Sequence, residues 1–317
     1  MINSIRLGYP GENLTLERVR LNRTVMLNDR HPSEIRERCI RLAQKNLRDL
    51  MKILEWNEAQ GIRFFRISSS IFPHISNWRC FSHTDKLLDH RGLFYELELF
   101  ETQLQNIGKF AREHGHRLTF HPPPYTILNT EKHFVLITVI RELYWHTKFL
   151  DLADLRDGTI TIHIGGIYGD KKASMDRFVQ RFKELPREIQ NRIIIENDEF
   201  DYSINDVIEI SHRTGAPICF DYFHYCCYNS FSRSSDKDRQ FSLKKVFREV
   251  IASWAQKKIK PKMHLSEQAL GARAGTHSLF IEKIPKELLT LDIDLMLESK
   301  CKEKTVLKLL RKYGQKK

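Results

Sequence analysis

Short β-rich apolar runs recur along the chain, and the stretches between them carry apolar residues at helical spacing. The runs are SIRLGYP near the start, FFRIS at 64–68, RLTFHP ending near 122, TITIHIGG at 159–166, RIIIEND at 192–198, APICFDY at 216–222, PKMHLS at 261–266 and DIDLMLES at 292–299. A representative helical stretch, 33–61, opens on Ser33 as N-cap after Pro32 and stops at Gly61. Strand alternating with helix implies parallel strands joined by right-handed crossovers. Eight such units predict an α/β fold, a TIM-type (β/α)8 barrel forming one domain over 1–317, with a doubly wound open sheet as the structural alternative.

Two stretches, 69–91 and 225–240, are polar or mixed and too long for tight strand-to-helix loops. They follow the second and sixth strands, where barrels carry function. Active sites in this fold assemble at the C-terminal strand ends. His121 ends strand three, His163 nearly ends strand four, Glu196 ends strand five and Asp221 ends strand six. His264 nearly ends strand seven and Glu298 ends strand eight. These residue types bind zinc, manganese and related divalent ions. Any one of them alone reads more simply as a hydrogen-bonded rim residue or a helix cap, but six ionisable groups around one mouth call for a compensating cation. His224, three residues beyond Asp221, and His277, in the loop after strand seven, are further candidates. His74 follows Pro73 in the long loop and is a candidate to face the site. The remaining histidines read as structural; His114, His116 and His212 sit where helices end and suit the helix dipole.

Composition changes the picture only in part. Apolar residues make up 41% of 317 residues, as a packed globular protein requires. There are 52 Lys plus Arg against 40 Asp plus Glu, a formal net charge of +12 with a pI near 9.4. That favours a polyanionic partner, although part of the excess lies in a basic C-terminal helix and tail from about residue 302. No apolar run approaches the ~18–20 residues of a membrane span, and the N-terminal segment lacks the pattern of a signal peptide. A cytoplasmic, nucleoid-associated monomer is expected, without a membrane partner. The six cysteines form no CxxC pair and read as buried thiols, one of them a conceivable soft metal ligand.

The motifs RLGYPGEN, FRISSSIFPHIS, FHPPPY, TIHIGG, IENDE, FDYFH and KMHLS, in this order from residue 6 to about 300, resemble the series of the UV damage endonucleases, relatives of endonuclease IV. The resemblance implies a metal-dependent DNA repair endonuclease. Such an enzyme nicks damaged double-stranded DNA immediately 5′ of UV photoproducts, and of some abasic or other lesions, leaving 3′-hydroxyl and 5′-phosphate. It implies two or three divalent ions, commonly Mn2+, with Zn2+, Co2+ or Mg2+ as alternatives. Glu196 would bridge two ions, His121 and His163 holding one, and Asp221, His264 and Glu298 the other; His224 and His277 would bind a third. Endonuclease IV has an aspartate two residues before that last histidine, where this chain has Gly275. Lys262 resembles a lysine near the family's metal site and would stabilise phosphate charge. Tyr9 and Asn13 would touch the lesion and Tyr125 would stack as a wedge. The family pattern HPGQ-aromatic is replaced here by His121-Pro122-Pro123-Pro124-Tyr125, which stiffens the loop and implies an altered lesion range.

Two rivals remain at this point. A sugar isomerase or epimerase also builds a two-metal carboxylate and histidine site at a barrel mouth. A DNA-binding protein that had lost its chemistry would lack a central ligand, and none is missing here.

Overall fold

A computed structural model describes residues 4–27, 32–80, 92–231 and 242–314. The strands are β1 (Arg6–Pro10), β2 (Phe64–Arg66), β3 (Arg117–Thr119), β4 (Ile160–His163), β5 (Ile193–Glu196), β6 (Ile218–Asp221), β7 (Lys262–Leu265) and β8 (Asp294–Leu297). Each falls within an expected run. The helices are α1 (Pro32–Ala59), α2 (Glu101–Glu113), α3 (His133–Leu152), α4 (Lys171–Glu184), α5 (Arg187–Gln190), α6 (Ile204–Thr214), α7 (Tyr222–Phe231), α8 (Leu243–Ser253) and α9 (Lys302–Tyr313).

All strand pairs are parallel, in the order β3-β2-β1-β8-β7-β6-β5-β4. The two edge strands meet through Phe120, whose N–H donates to the Thr159 carbonyl and whose carbonyl accepts from the Thr161 N–H. The sheet therefore closes into the (β/α)8 barrel, and an open sheet is excluded.

Alternation along the strands divides the side chains into two layers. Leu7, Phe65, Leu118, Ile162, Ile195, Phe220, Met263 and Leu297 face outward and join the helices in one continuous apolar core. Residues of the opposite parity fill the bore. At its base the Asp294 carboxylate accepts from Arg6 at 2.7 Å and from Arg117 at 2.7 Å. The Arg117 guanidinium lies 5.4 Å from the Trp254 ring and 5.9 Å from that of Phe64. A Cβ at Gly8 would come within 2.3 Å of the Phe64 carbonyl oxygen, so glycine lets these strands approach. The base of the bore is thus plugged by ion pairs and rings.

Two local expectations are corrected. Helix α1 begins at Pro32, so Ser33 lies inside its first turn; proline's fixed φ and missing N–H suit that position. Residues 225–231 belong to α7, because FDYFHYCCY continues directly from β6 into helix; the rest of the 225–240 stretch from 232 on, and 81–91 of the other long loop, lie outside the described residues. The basic C-terminal helix begins at Lys302, as expected, and packs into the barrel. In α9, Glu303 is buried and accepts from the Leu14 N–H and the Thr15 hydroxyl, while Val306 and Leu309 join the core.

Candidate metal centre

The six strand-end ligands converge on the mouth of the bore. Glu196 stands at the centre, almost wholly buried. Its Oε1 lies 2.7 Å from His264 Nδ1 and its Oε2 lies 3.0 Å from His121 Nε2 and 3.7 Å from His163 Nε2. His264 Nδ1 is 3.2 Å from Glu298 Oε1 and 3.9 Å from Asp221 Oδ2. His224 Nδ1 stands 3.8 Å from both Glu196 Oε1 and Asp221 Oδ2. His277 is more peripheral, with Nδ1 at 3.9 Å from Glu298 Oε2 and its ring edge-on to Phe223.

Among the described residues three groups of donor atoms lie close enough to share an ion. They are His121, His163 and Glu196; Glu196, Asp221 and His224; and Glu196, Cys219 and His264. Glu196 belongs to all three. Buried Asp221 Oδ2 has no hydrogen-bond partner and lies between the imidazoles of His224 and His264, a placement suited to holding a cation.

The electrostatics agree. Burial alone would raise the Glu196 carboxyl, yet His264, His163 and His121 hold it well below the usual carboxylate range. Asp221 goes the other way, raised by burial despite His224, with the charge of Glu196 adding to the rise. Burial opposes protonation of His224, but Asp221, Glu196 and Glu199 together push it up to about 10. Burial pushes His121 down to about 4, so its imidazole is neutral and competent as a ligand at neutral pH. A protonated histidine beside three carboxylates supplies the charge that a divalent ion would supply in its place.

Sequence reasoning missed two contributors. Arg66 ends β2, one of the two strands without a candidate metal ligand, and pairs with Glu298 at the cavity wall. The strand-end rule applied to cations as well as ligands would have found it. Asn197 ties β5 to β6: its Oδ1 accepts from the Asp221 N–H at 2.9 Å and its Nδ2 donates to the Asp221 carbonyl at 3.0 Å. No pattern in the sequence marks that amide.

Other candidates are placed elsewhere. Tyr9 is 0% exposed with its hydroxyl donating to Asn57 Oδ1, and Asn13, 3% exposed, donates to that hydroxyl and caps the turn at Thr15 and Leu16. The structure buries both side chains: Tyr9 has the outward parity of Leu7 and packs beneath α1. Lys262 lies wholly buried in the bore below the ligands, its Nζ donating to Thr161 Oγ1 at 2.7 Å, and burial pushes it down to about 8. A direct phosphate contact does not fit that depth. His74 faces away from the cluster, bonding to the Val25 carbonyl at 2.7 Å. Tyr125 is 64% exposed, on the rim of a neighbouring cavity of about 740 Å3.

The sequence profile of the family described as "UV-endonuclease UvdE" matches residues 5–316. The chain belongs to the UvdE family. It is 37% identical to a "Putative UV-damage endonuclease" of Acanthamoeba polyphaga mimivirus over 278 residues, covering 85% of this chain and 79% of that protein. It is 33% identical to a UV DNA damage endonuclease of Clostridium perfringens over 313 residues, covering 96% and 70%. The crystal structure of SacUVDE superposes with a TM-score of 0.81 at 31% identity, covering 98% of this UvdE-family chain and all of that one. Endonuclease IV from Thermus thermophilus has a TM-score of 0.52 at 11% identity, covering 98% of this chain and 99% of that one, a likeness of fold alone.

Proposed function

We propose that this protein nicks damaged double-stranded DNA immediately 5′ of UV photoproducts, and of some other lesions, leaving 3′-hydroxyl and 5′-phosphate. That it is a UvdE-like DNA-repair endonuclease, and so an enzyme with donor clusters suited to metal-dependent cleavage, follows from its family and from those clusters. The observation that carries the finer reading is the sharing of Glu196 by every donor group at the mouth.

Two or three divalent ions, with manganese first among them, would be held by His121, His163, Glu196, Asp221, His264 and Glu298, with His224 and His277 at the outer position. When bound, such ions supply an activated water and neutralise developing phosphate charge. The chain's own residues do the rest. Asn197 fixes Asp221, and its carbonyl, 3.0 Å from His224 Nδ1, fixes that ring. Arg66, at the cavity wall, is placed to orient an anionic oxygen once Glu298 turns to an ion. Tyr125, exposed beside the mouth, offers a ring for stacking in the gap left by a displaced lesion. One chain carries every group named, so a monomer suffices.

Incubation with UV-irradiated supercoiled plasmid tests the reading. Nicking is expected with Mn2+ and none with excess chelator, and Glu196→Gln should remove nicking while retaining most of the binding to damaged DNA. Nicking that resists the chelator, or binding and nicking that both survive Glu196→Gln, would overturn it.

A further inference from the structure

We infer that Glu199 is a metal ligand, completing with His224 and His277 an outer ion site whose carboxylate comes from the loop after β5. This rests on the three-ion reading above.

The tautomer of His224 is the first support. Its Nδ1 lies 3.0 Å from the Asn197 carbonyl oxygen, which only accepts, so Nδ1 keeps its proton and Nε2 is the nitrogen that an ion would take in exchange for a proton. That nitrogen faces Glu199 Oε2 at 3.7 Å. The gap is too long for a hydrogen bond. It is close to the separation of two ligands on one ion, because donors each about 2.1 Å from a metal lie roughly 3–3.6 Å apart at angles of about 90–120°.

The second support is the fit between Glu199 and the turn that carries His277. Gly275, two residues before His277, has φ +84, and a Cβ built there would stand 3.6 Å from both Cγ and Oε1 of Glu199. The Glu199 side chain therefore packs at van der Waals distance against the turn that carries His277, reaching it from the loop after β5.

The loop is built to hold Glu199 there. Asp198 Oδ1 accepts from the N–H groups of Phe200, Asp201 and Tyr202, closing a tight turn around residue 199. His224 is the one partner with which Glu199 forms an ion pair among the described residues, and both line the cavity that holds His277, Glu196 and Glu298. Each of the three donors comes from a separate loop or helix above the strand ends.

Metal content of the purified full chain decides the matter. Stripped with chelator and reloaded with Mn2+, the parent should retain three ions per chain by elemental analysis. His277→Ala and Glu199→Gln should each retain two, and Glu199→Asp should recover part of the third. Calorimetric titration of Glu199→Gln should show at least a tenfold weaker final binding step, with the melting temperature of the metal-free protein unchanged. Three ions in the parent, two in His277→Ala and three at undiminished affinity in Glu199→Gln would overturn the Glu199 assignment alone. Two ions in the parent and in His277→Ala would overturn the three-ion reading and the assignment with it.

Discussion

The hydroxyl of Tyr9 sits between Asn57 and Asn13 with no exposure to solvent, so Tyr9→Phe tests burial against recognition at a single atom. Losing it should cost about 1–2 kcal/mol in denaturant unfolding, because the two amide groups lose a buried partner. Nicking per folded molecule should not change. Tyr125→Ala should do the reverse: stability within about 0.5 kcal/mol of the parent, as for an exposed residue, and at least tenfold weaker cleavage of irradiated DNA in the plasmid assay. The six candidate metal ligands were legible in the sequence because strand parity and strand ends are periodic signals, and all six obey them. At Tyr9 the motif pointed to the lesion and strand parity to the core, and the structure follows parity in burying the ring. Glu199 and Asn197 were invisible because loop residues have no period, and their meaning depends on what the next strand brings beside them.

Helix α3 runs along an outer face of the barrel and carries one buried carboxyl, Glu142, whose neighbour Ser76 donates a hydrogen bond to it. Burial pushes this group up to about 7 from an ordinary value of 4.5. The folded state therefore binds the proton more tightly than the unfolded chain. The stability this represents is full below the unfolded value, falls as pH rises from about 4.5 towards 7, and is gone above it. Glu142→Gln should accordingly stabilise the protein at pH 8, by on the order of 2–3 kcal/mol, and have little effect at pH 5. Scanning calorimetry at both values checks this. Element positions were readable from alternation and spacing, but ends were not. Pro32 within α1 and the run of α7 out of β6 depend on local backbone choices that apolar periodicity does not record.

The whole molecule carries a formal charge of +12, and its binding to damaged DNA should fall steeply with salt. If about six phosphates are neutralised, affinity drops by roughly a thousandfold between about 0.05 and 0.2 M salt, measurable by fluorescence anisotropy; a flat salt response would show that the charge lies off the binding face. Charge pointed to the partner class but not to the face, since the basic helix α9 is part of the barrel wall. The closed base of the bore carries its own consequence. With Arg117, Asp294 and the Trp254 ring stopping the lower end, the bore opens at the mouth where Glu196 stands. Under the proposed function, ions would enter by the route that DNA covers, so a duplex across the mouth would stop their exchange. Cleavage would then draw on ions taken aboard beforehand, and activity should follow the metal supplied before DNA is added.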